Sequence, residues 1–487
     1  MVVLSKKTAI LSAIGVLLAA MSIGGCATVG PDYIAPAVAV PALWHAELKD
    51  GLTTRDNQEA NRLAEWWTTL NDPVLSGLID RAVKGNLDIK KAQARLRESR
   101  ARRGVSEATL FPTLDASGSV TKSGTGDKNG GGQEKELYSV AFDAGWEIDL
   151  FGRIRRSVEA AEADFQASQE DLRNVLVSLT AEVALNYIEL RTYQTRLAVA
   201  EANLKIQQET YELTRMRFQA GLDDELSVLQ ARYTLENTRS QAPVLRISLE
   251  ESRNRIAVLL GVQPGVLHAE LAKPQPVSVT PLEIAVGVPA DLLRRRPDVR
   301  KAERELAAQT ARIGVATADL YPKITLSGSI GLEALSIGSL FSAGSGFYSF
   351  GPRIAWPIFD AGAIRNNIKV QSALQEQALI QYESTVLQAL EEVENALVAY
   401  AEGQRRRSAL NESAAAAQKA FEFARTKYRA GLIDFMDVLE TERSLVSYQD
   451  QLAQGDGNIA SSLVRLYKAL GGGWKPLEYG AATDPMS

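Results

Sequence analysis

The chain contains one stretch twice. Residues 311–330, ARIGVATADLYPKITLSGSI, match residues 101–120, ARRGVSEATLFPTLDASGSV, at ten of twenty positions without a gap. The offset of 210 residues persists, so that Trp146, Gly152, Ile154 and Arg155 return as Trp356, Gly362, Ile364 and Arg365. RFQAGLDDELSVL (217–229) returns as KYRAGLIDFMDVL (427–439) with six identities in thirteen, and Leu260-Gly261 returns as Leu470-Gly471. A tandem duplication constrains the fold strongly, because what one half builds the other must build again. In each copy the period changes at Leu110-Phe111-Pro112 or Leu320-Tyr321-Pro322, helical before and alternating after. Proline suits that boundary, since it ends a helix and holds its predecessor extended.

The alternating segments predict two β-hairpins, 113–149 and 323–358. Val140, Phe142, Ala144, Trp146 and Ile148 share one face of the first, opposite Ser139, Ala141, Asp143, Gly145 and Glu147. Tyr348, Phe350, Pro352, Ile354, Trp356 and Ile358 repeat the pattern. Strands of about ten residues with one apolar and one polar face fit a transmembrane β-barrel, lipid outside and water inside.

After each hairpin comes a long helix. Residues 153–220 hold 68 consecutive positions without glycine or proline, and Leu176, Val183, Leu190, Leu197, Leu204, Tyr211 and Phe218 recur every seventh residue. A sustained apolar heptad predicts a coiled-coil-like helix over 153–218, and its copy over 364–428 keeps the phase at Val386, Val393, Tyr400, Phe421 and Tyr428. Both end at Ala-Gly-Leu, where Gly221 and Gly431 suit a left-handed C-terminal residue. Shorter return helices follow, 222–261 and 432–470, and Pro243 is expected to kink the first.

Four strands per chain cannot close a barrel, and an open edge in lipid strands backbone groups at several kcal/mol each. Nor can helices of roughly 96 Å fold into one globule. Both difficulties vanish if copies assemble around an axis. Two would pool eight strands around an interior filled by side chains; three would pool twelve around a conduit.

The N-terminus reads as a signal peptide, 1–25: Lys6 and Lys7, an apolar run from Thr8 to Met21, then Ile23-Gly24-Gly25 before Cys26. Small residues ending in the chain's one cysteine resemble a lipobox, which makes Cys26 the acylated first residue of the mature protein. Residues 26–71, with Pro31, Pro36 and Pro41, read as a lipid-anchored extended arm. The expected order is then repeat 1 over 72–264, a linker over 265–288, repeat 2 over 289–471 and a tail over 472–487.

Composition excludes more than it assigns. Net charge is −5, or −7 once the leader and its two lysines are removed, with no basic stripe for nucleic acid. One cysteine and two histidines, His45 and His268, give no basis for a disulfide, a metal centre or a cofactor. No catalytic constellation is found: Glu391, Glu392 and Glu394 read as a solvated helix face, and Arg294-Arg295-Arg296 as a structural helix start before Pro297-Asp298.

VGPDYIAPAVAVPALW (29–44), VPADLLRRRPDVRKAERELAAQTARIGVATADLYPKITLSGSIG (288–331) and both Ala-Gly-Leu turns resemble the outer membrane factors of the TolC family, in the lipoprotein efflux-channel branch. The resemblance covers nearly the whole mature chain. It implies an α+β homotrimer whose twelve-stranded β-barrel sits in outer-membrane lipid and continues into a twelve-helix periplasmic α-barrel. Such a duct takes substrates from an inner-membrane pump through a periplasmic adaptor. It also implies adaptor contact at the turns, Gly221 with Leu222 and Gly431 with Leu432. A periplasmic gate is implied at Met436, Glu440 and Arg443, which fall at i, i+4 and i+7 on one stripe. The first repeat carries Leu226, Gln230 and Tyr233 there. The channel of a type I protein secretion system shares this fold and stays open as an alternative. A structural coiled-coil lipoprotein leaves the amphipathic strands unexplained.

Overall fold

A computed structural model describes residues 28–37, 39–46, 52–53, 63–124, 134–277 and 284–474. The expected signal peptide, Cys26, the tip of the first β-hairpin and most of the tail lie outside the described residues. In chain order the elements are β1 (Leu52–Thr53), α1 (Pro73–Gly85), α2 (Leu87–Ala108), β2 (Thr113–Gly124), β3 (Glu134–Ile148), α3 (Arg153–Gln219) and α4 (Glu225–Leu259). Then come β4 (Ile284–Ala285), α5 (Pro289–Arg295), α6 (Pro297–Ala318), β5 (Lys323–Ala334), β6 (Gly346–Ala355), α7 (Ala363–Arg429) and α8 (Phe435–Ala469). The pairs α2/α6, β2/β5, α3/α7 and α4/α8 start and stop 210 residues apart.

Local chemistry explains these bounds. Asp72 caps α1, its Oδ1 accepting from Val74 N at 2.9 Å and Leu75 N at 3.1 Å. Asn86 separates α1 from α2, accepting from the Asp88 and Ile89 amides. All four long helices end in one motif. Gly221, Gly261, Gly431 and Gly471 take φ of 70°, 71°, 73° and 73°. The amide after each reaches back five residues, as from Leu222 N to Arg217 O and Leu432 N to Lys427 O, both 2.9 Å. The return helices therefore begin at Glu225 and Phe435, later than 222 and 432, because the intervening residues close the turn. α4 runs through Pro243 as one helix. β6 stops at Ala355, short of 358, before Pro357, which cannot donate to a ladder.

The chain divides into two compact units. The first joins residues up to 37 with 95–169 and 301–383. It holds an antiparallel sheet of order β2-β3-β5-β6 whose β2 and β6 edges have no partner among the described residues. The register sorts the faces. Ala116, Phe142, Ile330 and Tyr348 make one row on the apolar face, and Asp115, Asp143, Ser329 and Ser349 the adjacent row on the polar face. Apolar side chains are exposed: Phe142 56%, Ile330 65%, Phe350 81% and Ile354 67%. On the polar face Asp143 accepts from Ser117 and Ser329 Oγ, each at 2.6 Å. At one end of the sheet Trp146 and Trp356 donate to the carbonyls of Leu110 and Leu320 at 2.9 and 3.0 Å, fixing each helix-to-strand corner.

In the same unit the arm is docked. The Arg156 guanidinium, 4% exposed, holds Asp32 at 2.6 Å and Glu159 at 2.8 Å, and reaches the Val29 and Gly30 carbonyls. Gly30 lies so close to α6 that a Cβ there would stand 2.4 Å from Gly314 Cα. Tyr33 donates to Glu303 at 3.0 Å under the Arg304 guanidinium.

The second unit, residues 38–94, 170–300 and 384–487, holds the rest of the long helices. β1 and β4 form a two-residue parallel pair. Trp66 stacks on Tyr467, ring centroids 5.4 Å apart, and is fully buried. Two junctions repeat across the duplication with different residues. Asn86 Nδ2 donates to Leu259 O at 2.8 Å, and Arg296, its counterpart, donates to Ala469 O at 3.0 Å. The Arg296 guanidinium is 8% exposed and also pairs with Asp298 and Glu392, each at 2.6 Å. Glu394 accepts from the His45 and Ala46 amides at 2.7 and 3.0 Å. Glu392 and Glu394, expected on a solvated face, are thus bound in place by a buried cation and by the arm.

Candidate functional site

The chemistry expected at the helical-hairpin turns begins with the glycines. Each ends its helix in the left-handed region, where a side chain would be strained. The following Leu222 and Leu432 are 66% and 72% exposed. Nothing in the turn geometry needs a leucine there, since only its amide closes the motif.

α8 has two faces. Phe435, Val438, Leu439, Glu442 and Leu445 are buried, whereas Met436, Glu440 and Arg443 are exposed along the opposite stripe. The structure brings together only part of the expected gate. Among the described residues no ion pair joins Glu440 to Arg443. Arg443 instead lies over the Tyr233 ring, 5.4 Å from its centroid, and donates to the Tyr233 hydroxyl. Tyr233 is the counterpart of Arg443 in repeat 1, so the equivalent positions of the two return helices meet. Leu226, also on that stripe of α4, is 59% exposed.

Sequence reasoning missed a second link between the hairpins. Tyr428, buried at the end of α7, donates its hydroxyl to Asp223 in the first turn. Arg217, at the end of α3, covers the Tyr428 ring at 4.6 Å and donates to the Tyr428 carbonyl at 3.2 Å. It also stands 3.4 Å from Asp223. Burial, followed by the bond to Asp223, pushes the Tyr428 hydroxyl up to about 12, so it stays a donor at neutral pH. In the sequence Tyr428 stands only as a heptad position. An acidic residue just beyond the first Ala-Gly-Leu, against isoleucine in the second, was the available signal.

The buried faces of the two hairpins differ in kind. Phe421, Tyr428, Phe435, Val438, Leu439 and Leu445 form an apolar cluster with Ala231 of α4. In α3 the buried positions toward the turn are Asn203, Gln207, Thr210 and Thr214. Asn203 Nδ2 and Gln207 Oε1 have no hydrogen-bond partner among the described residues. Each lines a cavity bordered by α3, α4 and α8, of about 350 Å³ beside Asn203 and about 360 Å³ beside Gln207. Arg196 and Asp450, paired at 2.8 Å, line the former. Among the described residues no group of three His, Cys, Asp or Glu could hold a metal ion. No described helix is long and apolar enough to cross a membrane.

Comparison with known proteins bears on the whole chain. The family model for outer membrane efflux proteins matches residues 78–262 and 288–472, one match per repeat. Nodulation protein T of Rhizobium leguminosarum bv. trifolii is 35% identical over 465 residues, covering 93% of this chain and 96% of its own. The solvent efflux pump outer membrane protein SrpC of Pseudomonas putida is 33% identical, covering 94% and 97%. The solved outer-membrane channel OprN superposes with a TM-score of 0.86 at 37% identity, over 92% of this chain and all of that one.

Proposed function

From the premise that this chain belongs to the outer membrane efflux protein family, we propose that it is the exit duct of a tripartite efflux system, passing substrates from an inner-membrane pump and periplasmic adaptor to the exterior. The observation that carries this reading is the four-stranded sheet. It exposes Phe142, Ile330, Phe350 and Ile354 on one face and leaves both edges unpaired among the described residues. Only lipid on that face and further strands at both edges make such a sheet stable in a membrane. Three copies supply twelve strands around an axis, with the polar row of Asp143 and its serines toward the water-filled interior.

In this duct Cys26 carries the lipid anchor and marks the mature N-terminus. The docked Asp32 and Tyr33 hold the arm that follows. The exposed leucines of the two turns contact the adaptor, and the α8 stripe of Met436, Glu440 and Arg443 lines the periplasmic constriction. Arg443 closes it by resting on Tyr233, and the Tyr428–Asp223–Arg217 link holds the two hairpins side by side.

Two measurements test the reading. Native mass spectrometry of detergent-solubilised protein should give one dominant species at three times the mature chain mass; a stable monomer would remove the barrel. In planar bilayers, replacing Glu440 and Arg443 together with alanine should raise single-channel conductance while trimer yield is unchanged. Conductance equal to the parent's would place the gate elsewhere. The anchor is tested separately, since Cys26→Ser should abolish acylation yet leave the protein in the membrane through its strands.

A further inference from the structure

The buried stripe of α8 contains one residue foreign to an apolar seam. Glu442 sits four residues after Val438, three after Leu439 and three before Leu445, and so shares their face. It is 3% exposed, and its Oε1 has no hydrogen-bond partner among the described residues. The surrounding cluster brings Ala417, Phe421, Ala424 and Tyr428 from α7 and Ala231 from α4, with Ile206, Tyr211 and Leu213 of α3 packed against it. The charged groups around it are few. From α7, Arg425 acts on it, and Arg425 is itself engaged by Glu209 of α3 at 3.4 Å. From α4 the cluster takes an alanine. On α8 itself, Glu440 and Arg443 stand on the exposed side. The same position in repeat 1 is Arg232, which is exposed, so the buried carboxyl belongs to one hairpin only.

An ionised carboxylate in such a seam, lacking a full set of donors, is far costlier than the neutral acid. Resting on the gate reading above, we propose that Glu442 is a proton-sensitive element of the second helical hairpin: protonated, it is held in the seam of α7 and α8, and ionised, it draws this stretch of α8 out of the seam together with the adjoining Glu440 and Arg443.

The direction follows from linkage. Burial raises the Glu442 carboxyl from its ordinary 4.5 to about 7, with Arg425 opposing part of that rise. The packed seam therefore has its full advantage below the ordinary value. It loses that advantage as pH rises through about 7. Between these limits the ratio of packed to loosened hairpin falls up to about tenfold per pH unit. An acid periplasm would hold the constriction shut, and a neutral or alkaline one would ease it.

The test uses the full-length protein in detergent. Amide hydrogen exchange over residues 435–446, corrected for the intrinsic rate, is compared at about pH 5.5, within the sensitive range, and about pH 8.5, above it. The parent protein should lose about tenfold or more of its protection across this range, and the isosteric Glu442→Gln should stay at the acid-level protection throughout. Glu442→Leu, which removes the polar group altogether, should also be flat. Parallel pH responses in the parent and in Glu442→Gln would overturn the proposal. Single-channel conductance at the same pH values separates the two readings. A rise with pH in the parent alone supports both. Exchange that responds while conductance stays flat would keep the proton-driven loosening and remove the constriction from this stripe.

Discussion

The two helical hairpins are built to the same lengths from related sequences, yet they bury opposite things. Toward the turn of the second, the sevenfold stripe is sunk, with Phe421 and Tyr428 2% exposed or less; farther from the turn Val393 and Tyr400 are matched by equally buried Val183 and Leu190 in the first. In the first, Leu197, Leu204 and Tyr211 are half-buried, Phe218 is 41% exposed, and amides and threonines take the interior. Gln207 answers Ala417, Thr214 answers Ala424, and exposed Leu229 answers Leu439. A helical seam needs an apolar stripe facing a partner. The second hairpin finds that partner within its own chain. The first keeps apolar side chains at its surface and orphaned amides beneath. Duplication supplied two equal frames, and their interiors now differ.

Substitutions can break this contrast, beginning with the largest effect. Phe421→Ala opens a cavity in the second seam and should cost about 3–5 kcal/mol. Thermal unfolding should show that loss clearly, whereas Tyr211→Ala, at the matching half-buried position, should lose markedly less. If the two lose equally, the seams are not different. Next, transplanting the first hairpin's chemistry, Ala417→Gln, buries an amide among apolar neighbours and should cost about 1–3 kcal/mol. The reverse change, Gln207→Ala, removes an unpartnered acceptor and should stay within about 1 kcal/mol of the parent. The caps should separate more weakly. Asp224 accepts from the Ser227 amide and hydroxyl at 2.8 and 2.7 Å, whereas Asp434 makes no side-chain cap bond. Asp224→Ala should thus lower Tm and Asp434→Ala should not. The two Ser227 bonds hold the Asp224 carboxyl below its ordinary range, so its contribution is present above that range and fades on acidification. Last, aspartate at both Leu222 and Leu432 should leave stability and trimer yield alone but abolish adaptor cross-linking. Loss of both together would make the leucines parts of the fold only.

Where the fold depends on period, it was readable in advance. The heptads, the alternation after Pro112 and Pro322, and the two Ala-Gly-Leu turns announce helices, strands and C-caps through local rules. The contacts that join distant positions were not. Asn86 and Arg296 occupy equivalent sites and cap the ends of α4 and α8 with unlike side chains, which no local pattern reveals. Arg156 is a charge inside a helical run whose partner, Asp32, lies 124 residues away. The α8 stripe was legible as a stripe. Its partner was not, because a Glu440–Arg443 pair and an Arg443–Tyr233 contact predict the same spacing on one helix. Glu442 carried the clearest overlooked signal: a carboxylate three residues from leucine on either side is on the buried face.

One feature of the architecture bears on how such a chain can change at all. α3 and α7 each have 67 residues, and α4 and α8 each have 35. Removing one residue from α3 alone would swing every later side chain by about 100° and pull the turn back by about 1.5 Å, while its sister stayed put. The two turns would no longer arrive level, and the leucines would face different ways. Many letters in these helices differ between the copies, but their number does not. Length is the shared quantity here: an insertion or deletion keeps the two turns level and facing alike only when it is matched in both copies, so the two halves keep one ruler even where their spelling differs.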